Sequence, residues 1–259
     1  LFAVHAPEWT HRSSLGGASE ARAGRGEQLR SMTTCGRACG RQRDMDASHV
    51  AHPAGFDVPA AYARSMLLTS PVTLENAHVR LEPLSPEHEA DLAAAAVGLE
   101  HTWYTSVPRP EGIAADIAQR LAWRDEGHMN PWAVRRLDTG RVIGTTTFCN
   151  IDQANRHVEI GHTWIGLEAQ RTAVNTASKL LLLAHAFDQC DAIAVEFRTH
   201  WHNRQSRAAI ARLGAKQDGV LRNHRLGPDG TLRDTVVFSI LPAEWPAVRL
   251  DLTERLARG

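Results

Sequence analysis

Lysine and tyrosine are nearly absent from this chain of 259 residues: Lys179 and Lys216 are the lysines, Tyr62 and Tyr104 the tyrosines. Arginine therefore supplies nearly all the positive charge, a bias of genome composition and not of chemistry. The four cysteines, Cys35, Cys39, Cys149 and Cys190, have no His or Cys companions at zinc-ligand spacing, which argues against a metal site. Unpaired reduced thiols are expected, and with them a cytoplasmic protein. No apolar run reaches the roughly 18 residues of a membrane span, even through the leucines at 180–183. The N-terminus lacks the basic-then-apolar order of a secretory signal. With a formal charge of +0 there is no electrostatic reason to expect a nucleic-acid partner.

What is present divides in two. Residues 1 to about 65 are rich in Gly, Ala, Ser and Arg and have neither helical nor strand period, so residues 1–68 are expected to be a disordered or non-native extension. An arginine-rich arm for nucleic acid is the rival reading, but its arginines are diluted by Glu8, Glu20, Glu27, Asp44 and Asp46. Residues 69–259 are expected to be the folded domain.

There, Val79–Leu84 alternates like a strand, and Ser85-Pro86 starts a helix running to Val97. Ile113, Ile117 and Leu121 mark a second helix, ending near Gly127. Trp132–Leu137, Val142–Phe148 and Asn155–Gly166 predict a three-stranded meander, with Asp138–Arg141 as its first turn. Ala177, Leu180, Leu181, Ala184 and Phe187 recur as the buried face of a helix. The strand Ala192–Thr199 must rejoin the sheet after that helical crossover, which makes it locally parallel. Asn203 is placed to cap a helix through Ile210 to Leu213. A hairpin around Gly227–Gly230 and a last helix after Pro242 follow.

Between the meander and the apolar helix lies Gln170-Arg171-Thr172-Ala173-Val174-Asn175-Thr176. Small, hydroxylated and amide residues at a strand-to-helix turn leave backbone N–H groups at the positive end of a helix dipole. Residues alone allow either a phosphate cradle or an ordinary cap.

This element order, with the turn at 170–176, His202-Asn203-Arg204-Gln205-Ser206-Arg207-Ala208-Ala209-Ile210 and Leu213-Gly214-Ala215, resembles the GNAT acetyltransferase superfamily, in its RimJ/RimL-type branch. The resemblance spans about residues 72 to 250. It implies an α/β fold with a mixed, mostly antiparallel central sheet, a splayed parallel strand pair and flanking helices. The implied activity is transfer of an acetyl group from acetyl-CoA to a primary amine, a protein N-terminus or a small molecule, by direct attack in a ternary complex. A coenzyme A-binding sensor or scaffold with weak catalysis is the alternative, and a homodimer is compatible with either. Two departures favour that alternative. Ala173 stands where the turn usually has its first glycine, although alanine does not take positive φ cheaply, Asn175 stands at the second small position, and no tyrosine is available as the general acid many members use.

The resemblance also assigns roles. Backbone N–H groups of Gln170, Arg171, Thr172, Ala173, Val174, Asn175 and Thr176 would hold the pyrophosphate. The edge at Trp164 and Ile165 would pair with the pantetheine arm, which Asn203 also contacts, and an N–H near His162 to Ile165 would bind the oxyanion. Glu159 would take the amine's proton and Ser206 would protonate the thiolate. For Glu159 the plainer reading is a pair with an arginine such as Arg156, and for Asn203 and Ser206 it is helix capping. Strand parity puts His157 on the side of Glu159 and His162 on the other. Trp103, Tyr104, Arg109 and Pro110 fall in the loop where the acceptor would approach.

Overall fold

The computed structural model describes residues 66–99, 103, 104, 107–227 and 229–258. Of the extension expected over 1–68, residues 1–65, with Cys35, Cys39 and Tyr62, lie outside them. Residues 66–68 belong to the packed chain: the Met66 N–H donates to Gln189 O and Leu68 is wholly buried.

In chain order the elements are β1 (Leu74–Glu75), β2 (Val79–Pro83), α1 (Glu89–Ala96), α2 (Ile113–Asp125), β3 (Met129–Arg136), β4 (Val142–Asp152) and β5 (His157–Ile165). Then come α3 (Ala173–Ala184), β6 (Ala194–His200), α4 (Arg204–Ala211), β7 (Lys216–Leu226), β8 (Leu232–Ile240) and α5 (Trp245–Arg258). Eight strands make one sheet in the order β1-β2-β3-β4-β5-β6-β8-β7. The pair β5–β6 is parallel and the other neighbours are antiparallel. The crossover through α3 forces that arrangement, because strands joined by a long helical connection return in the same direction.

Two apolar clusters hold the layers. Val158, Ile160, Val195, Phe197, Val236 and Phe238 pack one face of the sheet against α3, α4 and α5. Ala133, Val142 and Trp164 pack the other face against α1 and α2. The helix starts follow the sequence: Ser85-Pro86 opens a 3-10 turn that runs into α1, Thr172 caps α3, and Asn203 caps α4.

Three expectations need correction. The meander strands are longer or shifted, with β3 starting at Met129 and β4 reaching Asp152, because cross-strand pairing and not residue type sets where they end. A two-residue strand, β1, precedes the one expected first. On α3 the buried residues are Val174, Ala177, Ser178, Lys179, Leu182 and Leu183, while Leu180, Leu181 and Ala184, and Phe187 in the π-helical turn after α3, are half-buried. Helix α3 lies between the sheet and α5, so it has apolar neighbours on two sides and no single buried stripe.

Candidate active site

The site grows from the place where β5 and β6 part. Their register runs His157↔Ala194, Val158↔Val195, Glu159↔Glu196 and goes no further. From Ile160 onward β5 keeps its pairing with β4 but turns a free edge toward β6. Within that stretch β5 carries one extra residue, since Thr145 faces Trp164 and Thr147 faces Gly161. The result is a β-bulge, with His162 at φ 47.

The bulge is gripped from both sides of the sheet. On the α2 side, Arg120 Nη1 donates to His162 O and to Thr147 Oγ1, both at 3.2 Å. On the α3 side, Lys179 Nζ donates to Thr146 Oγ1 (3.0 Å) and Thr163 Oγ1 (2.8 Å). The bulge also re-aims His162, whose ring centroid lies 6.3 Å from that of Trp123 on α2. Simple alternation had sent His162 to the face away from Glu159. The extra residue reverses the parity and brings both to the α2 side.

Glu159 stands just before the bulge, 1% exposed. Its Oε2 accepts a 2.6 Å hydrogen bond from Asn150 Nδ2 and lies 3.7 Å from Arg198 Nε. The arginine expected beside it, Arg156, pairs instead with Asp191. Oε1 is buried with no hydrogen-bond partner. Burial raises the Glu159 carboxyl above its ordinary range, against the opposing pull of Arg198 and Asn150. Gly161 makes room for it, since a Cβ there would stand 2.9 Å from Glu159 Oε1 and 2.8 Å from Cys149 Sγ. His157 shares this face and is 3.3 Å from Glu196 Oε1.

At the other end of the free edge is the turn 170–176. Thr172 Oγ1 donates to Ala169 O (2.7 Å) and accepts from Val174 N–H (3.3 Å), so Thr172 caps the helix. The left-handed residue is Arg171, at φ 61. Ala173 is the first residue of α3 and needs no positive φ, which removes the steric objection to alanine there. Gln170 Nε2 ties back to Ile165 O at 3.0 Å. The remaining first-turn N–H groups, those of Ala173 and Asn175, lack carbonyl partners by helix geometry.

Across the splay, Asn203 Oδ1 accepts the Ser206 N–H at 3.0 Å. Both residues are buried, and Ser206 Oγ has no partner. Among the described residues five buried side-chain polar atoms are unpaired, and four of them are Glu159 Oε1, Trp164 Nε1, Asn175 Oδ1 and Ser206 Oγ. Buried polar groups are normally satisfied. They lie on β5, at the start of α3 and on α4, elements that border the place where β5 and β6 part, and they suit a ligand with hydrogen-bonding groups along its length.

A sequence model of the acetyltransferase (GNAT) domain matches residues 78–216. The chain belongs to the GNAT acetyltransferase family. Among its relatives is YdaF of Bacillus subtilis (strain 168), provisionally named a ribosomal N-acetyltransferase, 28% identical over 66% of this chain and 94% of that one. A GCN5-related N-acetyltransferase from Brucella melitensis superposes with a TM-score of 0.67 at 27% identity, covering 74% of this chain and 89% of its own. Mycobacterium smegmatis RimJ, solved in complex with CoA-disulfide, shares the fold at 20% identity and a TM-score of 0.59, over 73% of this chain and 97% of its own.

As a GNAT enzyme the protein is an acyltransferase with acetyl-CoA as cosubstrate. No helix of the described residues is long and apolar enough to cross a membrane. Burial raises the Cys149 thiol well above its usual range and pushes Cys190 up to about 12, so neither is set up as a nucleophile. Sequence reasoning missed Asn150, Gly161, Arg120 and Arg198. It also passed over Lys179, although a lone lysine inside the most apolar run of a lysine-poor chain was a signal in plain view.

Proposed function

We propose that the protein is an N-acetyltransferase that acetylates a primary amine by direct attack in a ternary complex, with residues 69–259 as the catalytic domain. Backbone N–H groups from Arg171 to Thr176 bind the pyrophosphate, and the free edge at Trp164 and Ile165 pairs with the pantetheine arm as an added strand. Asn203 contacts that arm while capping α4. Acetyl-CoA supplies the activated thioester carbonyl.

Glu159 takes a proton from the amine as the nitrogen–carbon bond forms, and Ser206 Oγ–H supplies the proton that the departing sulfur needs as the carbon–sulfur bond breaks. A backbone N–H of the bulge at His162–Thr163 faces the developing oxyanion, its position fixed by Arg120 and Lys179. The observation that carries this reading is Glu159 Oε1, buried, unpaired and directed over Gly161 toward the bulge. A raised carboxyl is also a better proton acceptor near neutral pH than an ordinary one.

The sensor reading loses one of its two motives, because Ala173 sits in ordinary helical geometry. Consumption of the thioester in the presence of a panel of amines, with mass spectrometry of the products, separates the two. Acetylated product supports the enzyme, whereas acetyl-CoA binding without turnover on any amine overturns it.

A further inference from the structure

The sheet face that carries Glu159 continues across β6, β8 and β7. Cross-strand pairs share a face, so the pairs Glu159↔Glu196, Arg198↔Val237, His200↔Thr235 and Arg225↔Arg233 set Glu159, Arg198, His200, Arg233 and Arg225 on one side. The opposite side of these strands packs against α3, α4 and α5. On the reading proposed above, the cosubstrate is anchored there, at the N-termini of α3 and α4.

Arg233 is 7% exposed, yet its guanidinium makes one hydrogen bond, Nε to Thr235 Oγ1 at 3.0 Å, and no ion pair among the described residues. The residue directly across the β7–β8 ladder from it is another arginine. Like charges opposite one another destabilise a sheet, and a buried cation without an anion is costly. Burial first, and then Arg225, push Arg233 down to about 10, which still leaves it charged at neutral pH.

The surroundings are cationic. Arg198 is engaged by Glu196 at 2.7 Å, and Asn150 occupies Glu159 Oε2. His224, 3.1 Å from Thr235 Oγ1, is held down by burial and by Arg225, Arg198 and Arg233. Burial, Arg233 and His202 push His200 down to about 4, against Asp234 and Asp229. Glu159 is near enough to oppose the fall of Arg233.

Resting on the acetyltransferase reading of Glu159, we propose that the acceptor is a small amine that carries its own anionic group, a carboxylate or a phosphate, which pairs with Arg233 while its amine faces Glu159. The anion supplies the counter-charge that the chain withholds from Arg233. Because Arg233 lies on the face away from α3 and α4, this anion belongs to the acceptor and not to coenzyme A.

The test uses the full chain with acetyl-CoA and paired acceptors: free α- and ω-amino acids beside their amides, and aminoalkyl phosphates beside the corresponding amino alcohols. The charged member of a pair is expected to have a kcat/KM at least about tenfold higher, with carboxylates and phosphates compared to name the anion. Arg233→Gln abolishes that preference, Arg233→Lys keeps part of it, and the KM for acetyl-CoA is unchanged in both. Equal rates within pairs, efficient acetylation of uncharged peptide amides, or an Arg233→Gln variant that slows both members alike would overturn the proposal. Thermal shift with the aminoalkyl phosphates supplies a readout independent of turnover. If no amine is acetylated but these raise the Tm of the native chain and not of Arg233→Gln, the anion site stands and the transferase reading falls. If neither occurs, both fall.

Discussion

Lys179 Nζ lies 2.8 Å from Thr163 Oγ1, so the helix whose N-terminus is proposed to hold the cosubstrate also grips the strand behind the bulge at His162. The lysine is 1% exposed, and burial pushes it down to about 7. Between pH 7 and its ordinary 10.5 the unfolded chain binds a proton that the folded chain does not, so raising the pH across that window favours folding. Below pH 7 both states are protonated and the penalty is constant. The native chain is expected to gain up to about 5 kcal/mol of stability across the window, a contribution lost again as pH falls back toward 7. Lys179→Met removes this slope, while Thr146 and Thr163 keep their mutual 2.8 Å hydrogen bond. Urea midpoints at pH 7, 8 and 9 for both chains check it, and equal slopes refute it.

Glu159→Gln keeps the shape and the Asn150 contact but removes the base. Turnover is expected to fall by roughly 10²–10⁴-fold, with little change in the KM for acetyl-CoA. The acidic limb of the kcat/KM profile, which the raised Glu159 carboxyl would set above the ordinary value of 4.5, should vanish with it. Steady-state kinetics across pH decide the matter; unchanged turnover removes Glu159 from the chemistry.

Gly161→Ala adds a methyl group 2.9 Å from Glu159 Oε1 and 2.8 Å from Cys149 Sγ, and one of them must move. Displacing a catalytic carboxylate by about 1 Å can cost on the order of 10²-fold in rate. In a Glu159→Ala background the same substitution should add little. A double-mutant cycle on kcat measures the coupling, and additive effects would show that Gly161 matters for some other reason.

Ser206 Oγ is buried without a partner, so Ser206→Ala breaks no hydrogen bond of the folded chain. Stability should hold or rise slightly, since an orphaned polar group is removed. Turnover should still drop by about 10²-fold if the hydroxyl protonates the leaving thiolate. Tm and kcat measured on one preparation separate the two effects, and a full-rate variant would end the proposed role of Ser206 as acid.

Much of this was legible in the sequence because it is local. The cap at Asn203, the turn at 170–176 and the crossover that makes β6 parallel are each written in a short stretch whose residue types and spacing carry the signal. The roles proposed for Glu159 and Ser206 come from the resemblance. The bulge at His162 was not, because it is a mismatch between two strands and neither strand alone encodes it. His162, read by alternation, therefore went to the wrong face. Asn150 and Arg198 were missed for the same reason: they reach Glu159 from neighbouring strands, at a register that only pairing fixes. Arg233 and Arg225 looked like ordinary members of an arginine-rich chain until the β7–β8 ladder set them opposite each other.

Three rungs join β5 to β6 before the strands separate. In backbone terms the sheet is two rafts, β1–β5 and β6–β8, moored by that short seam and by the shared core beneath. A cosubstrate that pairs along β5 and touches Asn203 on the far side acts as a strut between the rafts. Its binding energy then appears as rigidity: apparent stability should climb as RT ln(1 + [L]/Kd) with acetyl-CoA concentration. Amide exchange at 160–165 on β5 and 197–200 on β6 should slow together, in two segments that share no direct hydrogen bond. On the proposed binding mode the enzyme borrows a structural member from its own reactant, and each departure of product returns the two rafts to their single seam.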